Sequence, residues 1–257
     1  MISESDIKKW QLWLKEYVNQ HITGDQDTDV NINMKYQHSL KVANNARVIC
    51  QNLNMKDSEC RLAYICGLFH DIGRFRQYKV YHTFVDSQSI YHGELGVDVL
   101  EKLNILKGFN KKHATIIKDA VYNHGLLNIS DKLNGDSLLF TNIIRDADKL
   151  DIYRIVTDYY RHIETRNVAI ELGLYKGEKV TEQIITALEN AEVIRKEELI
   201  YLNDFKILQI SWIFDLNFDI TKELILKNNF IDLIISSIEG DSIRDRVKQI
   251  IYKHINH

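Results

Sequence analysis

Apolar residues recur every three to four positions along most of this chain, the spacing that lines one face of an α-helix. Residues 5–20 place Ile7, Trp10, Leu14 and Tyr17 or Val18 on one stripe. Residues 35–53 align His38, Val42, Ala46, Ile49 and Leu53. Residues 57–71, with Asp57 or Ser58 as a cap, align Ala63, Cys66 and His70. Residues 88–104 align His92, Gly96, Val99 and Leu103, and residues 110–124 align His113, Ile117, Ala120 or Val121, and His124. Gly125 then stands where a helix C-terminus favours glycine. A long helix over 137–162 carries Phe140, Ile144, Asp148, Ile152 and Ile155. Three more apolar patterns follow, around Ile184–Ala191, Leu208–Leu216 and Ile231–Ile238. With no proline in the chain, the expectation is a protein built of helices.

The breaks are informative too. Asp25–Asp29 reads as a polar loop whose alternating acids suggest a calcium loop, but Val30 stands at the glycine position and Tyr36 at the closing glutamate position, which excludes it. After His70-Asp71, Gly73 reads as a stop. Residues 75–88 mix Phe75, Arg76, Tyr78, Lys79, Tyr81, His82 and Phe84 without a clean period, as either a lid over a site or a packed loop would. Residues 126–136 form a further loop. There is no internal repeat and no low-complexity linker.

Composition narrows the function classes. At 257 residues and 45% hydrophobic, the chain can bury a sizeable core. The net charge of -3 is spread along the chain, with no basic block to suggest an extended nucleic-acid surface. No apolar run is long enough for a membrane span, and Met1–Lys9 lacks the apolar stretch of a secretory signal. Cys50, Cys60 and Cys66 have no CxxC spacing, which argues against a disulfide framework or thiolate zinc site and for a reducing, cytoplasmic setting.

The candidate chemistry lies where polar residues interrupt apolar stripes. His38, His70 with Asp71, His92, His124 and Asp148 fall on separate helical segments, on inward faces or at helix ends. Burying such groups costs free energy unless each is paired, protonated or metal-bound. His38 alone also reads as a core histidine, and Asp148 as half of an ion pair with Arg145 or Lys149. His113 and His124 share one face, about 16 Å apart along a straight helix, so they cannot serve one centre. His124, at a helix end as His70 is, is favoured. Imidazoles with carboxylates suit first-row transition metals better than calcium or magnesium. No G-x-S-x-G, P-loop, G-x-G-x-x-G or H-E-x-x-H occurs.

In chain order these residues read H…HD…H…H…D, a pattern that resembles the HD-domain superfamily of metal-dependent phosphohydrolases over about residues 30–162. The longer string from HDIGRF through HGELGV to IRDADKLD is similar to a group of bacterial HD proteins. The resemblance implies an all-α, HD-domain-like helical bundle, a single domain over 1–257 with its metal-binding core at about 30–162 and a helical extension at about 163–257. It implies two divalent transition-metal ions (Fe, Mn, Co, Ni or Zn). One would be held by His38, His70, Asp71 and Asp148, the other by His92, His124 and the second oxygen of Asp71. A water activated by both would attack a phosphomonoester or phosphodiester of a small molecule or nucleotide, with Asp71 central to catalysis. Arg74, where related proteins often carry lysine, would contact the substrate phosphate, bidentately if so. Its plainer role is a helix-end cation satisfying carbonyls. Lys149 is a weaker candidate for the substrate contact.

The same ligand pattern also resembles mixed-valence diiron oxygenases of the myo-inositol oxygenase type, which activate dioxygen. A third alternative is a non-catalytic, nucleotide-binding regulatory module, against which the retention of every ligand argues. The resemblance names neither a substrate nor an oligomeric state.

Overall fold

The computed structural model describes residues 2–162 and 171–255. Among these residues every regular element is a helix, beyond one isolated bridge between Tyr175 and Tyr201, so the fold is all-α, as the periodicity predicts. The chain divides into two compact units, Met1–Asp151 and Ile152–His257. The sequence places a helical extension from about 163. The division falls earlier, inside a long helix, and residues 163–170 lie outside the described residues.

The first unit is arranged around α3 (Asp57–Phe69), whose residues from Leu62 to Phe69 are all buried. A helix apolar on all sides must be covered on all sides. Here α1 (Glu4–Asn19), α2 (Gln26–Asn52) and α6 (Lys111–Asn123) pack against it. Gly67 lets α2 approach closely, since a Cβ there would lie 2.8 Å from the Cα of Ala43. That contact brings the end of α3 beside His38 on α2. The remaining helices of this unit are α4 (Ile72–Tyr81), α5 (His92–Lys102) and the start of α7 (Gly135–Arg161).

Three sequence expectations are corrected. The acids of 25–29 do not form a loop: α2 begins at Gln26, Asp25 accepts a hydrogen bond from the Thr28 amide, and Asp27 and Asp29 sit in the first turn, where they complement the helix dipole. Gly73 is not a stop. The helix break falls at Asp71 (φ -101, ψ 19), and Gly73 lies inside α4, where a Cβ would collide with the α5 backbone at His92 and Gly96. Residues 75–81 are neither lid nor loop but the body of α4. Its periodicity is hidden because the fully buried Gln77 interrupts the apolar stripe of Ile72, Phe75 and Tyr78.

The second unit contains the end of α7, then α8 (Glu182–Glu189), α9 (Leu202–Ser211), α10 (Asp219–Lys227), α11 (Phe230–Ser237) and α12 (Asp241–Ile255). Buried Tyr153 stacks on Phe230 with ring centroids 6.2 Å apart, and its hydroxyl donates to the Gln209 carbonyl at 2.7 Å. Asp204 organises the start of α9, accepting from the amides of Thr181 (2.8 Å), Ile200 (3.0 Å) and Tyr201 (2.9 Å). Groups of side chains able to hold a metal occur, among the described residues, only in the first unit. No described helix is long and apolar enough to cross a membrane.

Candidate metal centre

His38, His70, Asp71, His92, His124 and Asp148 converge at one place in the first unit. His38 comes from the middle of α2, His70 and Asp71 from the break between α3 and α4, His92 from the first turn of α5, His124 from the end of α6, and Asp148 from α7. His113 is not on the inner face of α6. It is half-buried and borders a separate cleft lined by Ile2, Asp6, Trp10, Phe109 and Asn110.

Each imidazole is held by its Nδ1. That of His70 donates to the Gly67 carbonyl at 2.7 Å, and that of His124 to the Val121 carbonyl at 2.9 Å. Both rings thus fold back on carbonyls left without an intrahelical partner in a last turn. His38 Nδ1 donates to Asp151 at 2.8 Å and His92 Nδ1 to Asp86 at 2.8 Å. Carbonyls and carboxylates only accept, so a proton sits on each Nδ1, and the four Nε2 atoms are the ones turned toward the centre.

Those Nε2 atoms form two pairs. His38 and His70 stand 3.3 Å apart, His92 and His124 3.0 Å. Asp71 lies between them with one oxygen toward each: Oδ2 is 3.8 and 3.5 Å from the first pair, Oδ1 3.6 and 3.7 Å from the second. Asp148 Oδ1 joins only the first, 2.9 Å from His38 Nε2 and 3.7 Å from His70 Nε2. It is a buried oxygen without a hydrogen bond. Facing ring nitrogens at these distances need a proton or a cation between them, and an orphaned buried acceptor costs free energy. A divalent cation satisfies both, and the nitrogen and oxygen donors suit first-row transition metals. The residues present fit a divalent metal.

Charge is arranged to match. Burial pushes the Asp71 carboxyl up, but Lys35, His70 and Arg74 outweigh it and hold it well below the usual range. Asp148 is also lowered: burial raises it, and His38 and His70 overcome that. Burial lowers His70, and burial with Arg74 lowers His92 to about 3, keeping both rings neutral and ligand-competent. Burial and Lys35 also pull His38 down, but Asp148 and Asp151 more than offset them, and it ends raised.

Two contacts were not anticipated. Lys35, one turn before His38, places its Nζ 2.8 Å from Asp71 Oδ2, with its side chain 18% exposed. Asp151, one turn after Asp148, takes the far nitrogen of His38, so α7 faces both sides of one ring. The i, i+3 spacing of Asp148 and Asp151 and the i, i+3 spacing of Lys35 and His38 were the available signals. Arg74 is extensively engaged: Nε meets Asp71 Oδ1 at 3.3 Å, while Nη1 donates to Gln77 (2.9 Å), the Phe84 carbonyl (2.6 Å) and Asp86 (2.9 Å). Asp148 faces His38 at 2.9 Å, and Arg145 donates to the carbonyls of His124 and Leu126.

The family model for the HD domain matches residues 36–153, a span that contains all six converging residues. Residues 36–153 thus match the HD domain, within an all-α fold and around a histidine–aspartate cluster that could hold a divalent metal. No curated protein and no solved structure matches it.

Proposed function

We propose that the chain is a metal-dependent phosphohydrolase acting on a phosphate ester of a small molecule or nucleotide. His38, His70, Asp148 and Asp71 Oδ2 would hold one divalent transition metal, and His92, His124 and Asp71 Oδ1 a second. The observation that carries this reading is the placement of Asp71, one oxygen toward each histidine pair. Two metals, when bound, supply an activated water and a clamp on phosphoryl oxygens.

The chain's own residues supply the rest. The Nδ1 partners hold the rings in place before substrate arrives, so little reorganisation accompanies reaction. Lys35 and Arg74 set two positive charges against the central carboxylate, which favours an anionic substrate over a neutral one. Arg74 Nη2 has no protein partner among the described residues, and Lys35 is partly exposed, so both have a donor to offer a phosphoryl oxygen. Lys149, next to Asp148, is a further candidate. Three free, buried cysteines fit a reducing compartment, and we read the protein as cytoplasmic, without a membrane or nucleic-acid partner.

The test is an anaerobic screen of phosphomonoesters, nucleotides and cyclic dinucleotides with Mn, Fe, Co, Ni or Zn. Phosphate release or phosphodiester cleavage, abolished by a chelator and restored by metal, is expected. No cleavage with any metal, together with dioxygen uptake by the reduced iron form, would place the protein with the oxygenases instead.

A further inference from the structure

We propose that Asp86 is the positioning residue of the second histidine pair, so that cation binding at His92 and His124 and ordering of the segment 82–91 depend on each other. The proposal rests on the two-metal reading above. Asp86 lies outside the six converging positions, in the segment between α4 and α5, where it opens a short 3-10 turn, Asp86–Gln88. Its Oδ2 accepts from His92 Nδ1 at 2.8 Å. Its Oδ1 accepts from the His92 amide (3.2 Å), Gln77 Nε2 (2.8 Å) and Arg74 Nη1 (2.9 Å).

The segment is otherwise fastened to α4 at both flanks. Arg74 donates to the Phe84 carbonyl at 2.6 Å, and the buried Gln77 donates to Ser89 Oγ at 2.8 Å and the Ile90 carbonyl at 3.0 Å. Asp86 links this strap to the metal-facing side chains. His70 and His124 take their Nδ1 partners from their own helices, and His38 takes its partner from α7. His92 alone among the four depends on a residue between helices.

Two consequences follow. A carboxylate behind an imidazole fixes the ring and raises its basicity toward a cation, so Asp86 strengthens the second pair. A cation on Nε2 in turn makes Nδ1–H a stronger donor, which tightens the strap, and the coupling is reciprocal. The first pair already has Asp148 and Asp151 and does not need the strap. Asp86→Asn keeps an acceptor but removes the charge, and Asp86→Ala removes both.

The test is Mn2+ titration of the full chain, with hydrogen exchange of residues 82–91 followed at zero, one and two equivalents. Wild type is expected to bind two ions, with protection of 82–91 rising at the second. Asp86→Asn should weaken one ion by about 10- to 100-fold, the usual loss for such a partner, with the other unchanged. Asp86→Ala should weaken it further, and Asp151→Asn should weaken the other ion instead. Unchanged Mn2+ binding in both Asp86 variants, or equal weakening of both ions, overturns the proposal. If either variant loses helical signal, the wild-type exchange decides: protection complete at the first equivalent, or absent at the second, also overturns it. Wild type that binds a single ion fails the two-metal reading itself, whereas wild type with two ions and indifferent Asp86 variants fails only the role of Asp86.

Discussion

His92 and His124 face each other through their Nε2 atoms at 3.0 Å, and each ring has already given its Nδ1 proton to another acceptor. Nothing in either side chain can relieve that approach without a proton or cation between them. His38 and His70 repeat the arrangement at 3.3 Å. The four rings thus form two pairs, with one oxygen of Asp71 toward each.

Removing one histidine should therefore empty its own half first. After dialysis against Mn2+ and removal of free metal, His124→Ala is expected to retain one ion and His38→Ala to lose the other. Elemental analysis with electron paramagnetic resonance counts the ions and shows whether they are coupled. Equal loss of both ions in both variants would contradict two half-sites.

Asp71→Asn keeps the shape of the linking side chain but replaces one oxygen with an amide nitrogen that cannot ligate. At least one metal and nearly all activity should be lost, while circular dichroism keeps its helical signal. The substitution also leaves Lys35 and Arg74 facing a neutral group, so the metal-free variant should melt below wild type. Full metal occupancy with a near-normal rate would show that Asp71 does not join the two halves.

The cations separate by what else they hold. Arg74→Ala strips partners from Asp71, Gln77 and Asp86, and should lower stability by about 1.5–3 kcal/mol, the range for hydrogen bonds to charged groups. It should also lower kcat/KM for a phosphate ester by roughly a hundredfold, a typical loss for one charge-stabilising contact, with partial recovery in Arg74→Lys. Lys35→Met should lower kcat/KM and also lower Tm in the metal-free protein, because it leaves the buried Asp71 carboxylate short of a cation and removes the contact over the Phe84 ring. Thermal melts beside steady-state kinetics check both, and normal turnover in both variants would remove the cations from substrate binding.

Acidification provides a separate check. His92 is lowered to about 3 in the folded metal-free protein, against an ordinary value of about 6.5 in the unfolded chain. Between those values the unfolded state binds the extra proton, so this residue's contribution makes stability fall as pH drops from about 6.5 toward 3, and it has no effect above that window. Imidazole resonances followed by NMR should show His92 neutral through pH 5 and His38, which is raised, titrating at a higher pH. A His92 resonance that titrates near 6.5 would show that the ring is not buried against Arg74.

Much of this was legible in the sequence because each of the six converging residues interrupts or ends an apolar helical stripe, which is a local signal. The five helical segments that carry these residues were legible for the same reason. What escaped was set by tertiary packing. The identity of α4 was obscured by Gln77, a polar residue buried because the 82–91 strap satisfies its amide. The start of α2 was obscured because acids that cap a helix look like acids in a loop. Asp86 lies in a stretch without periodicity, and its hold on His92 exists only once α4 and α5 are packed. Arg74 was placed near the metals by its spacing from Asp71, but its acceptors at Phe84 and Asp86 are long-range.

The most direct measurement is anomalous scattering from crystals of the protein grown with saturating Mn2+. Two peaks per chain are expected, one beside His38, His70 and Asp148 and one beside His92 and His124, with one oxygen of Asp71 on each. A single peak, with His92 and His124 turned away from it, would contradict a two-metal centre.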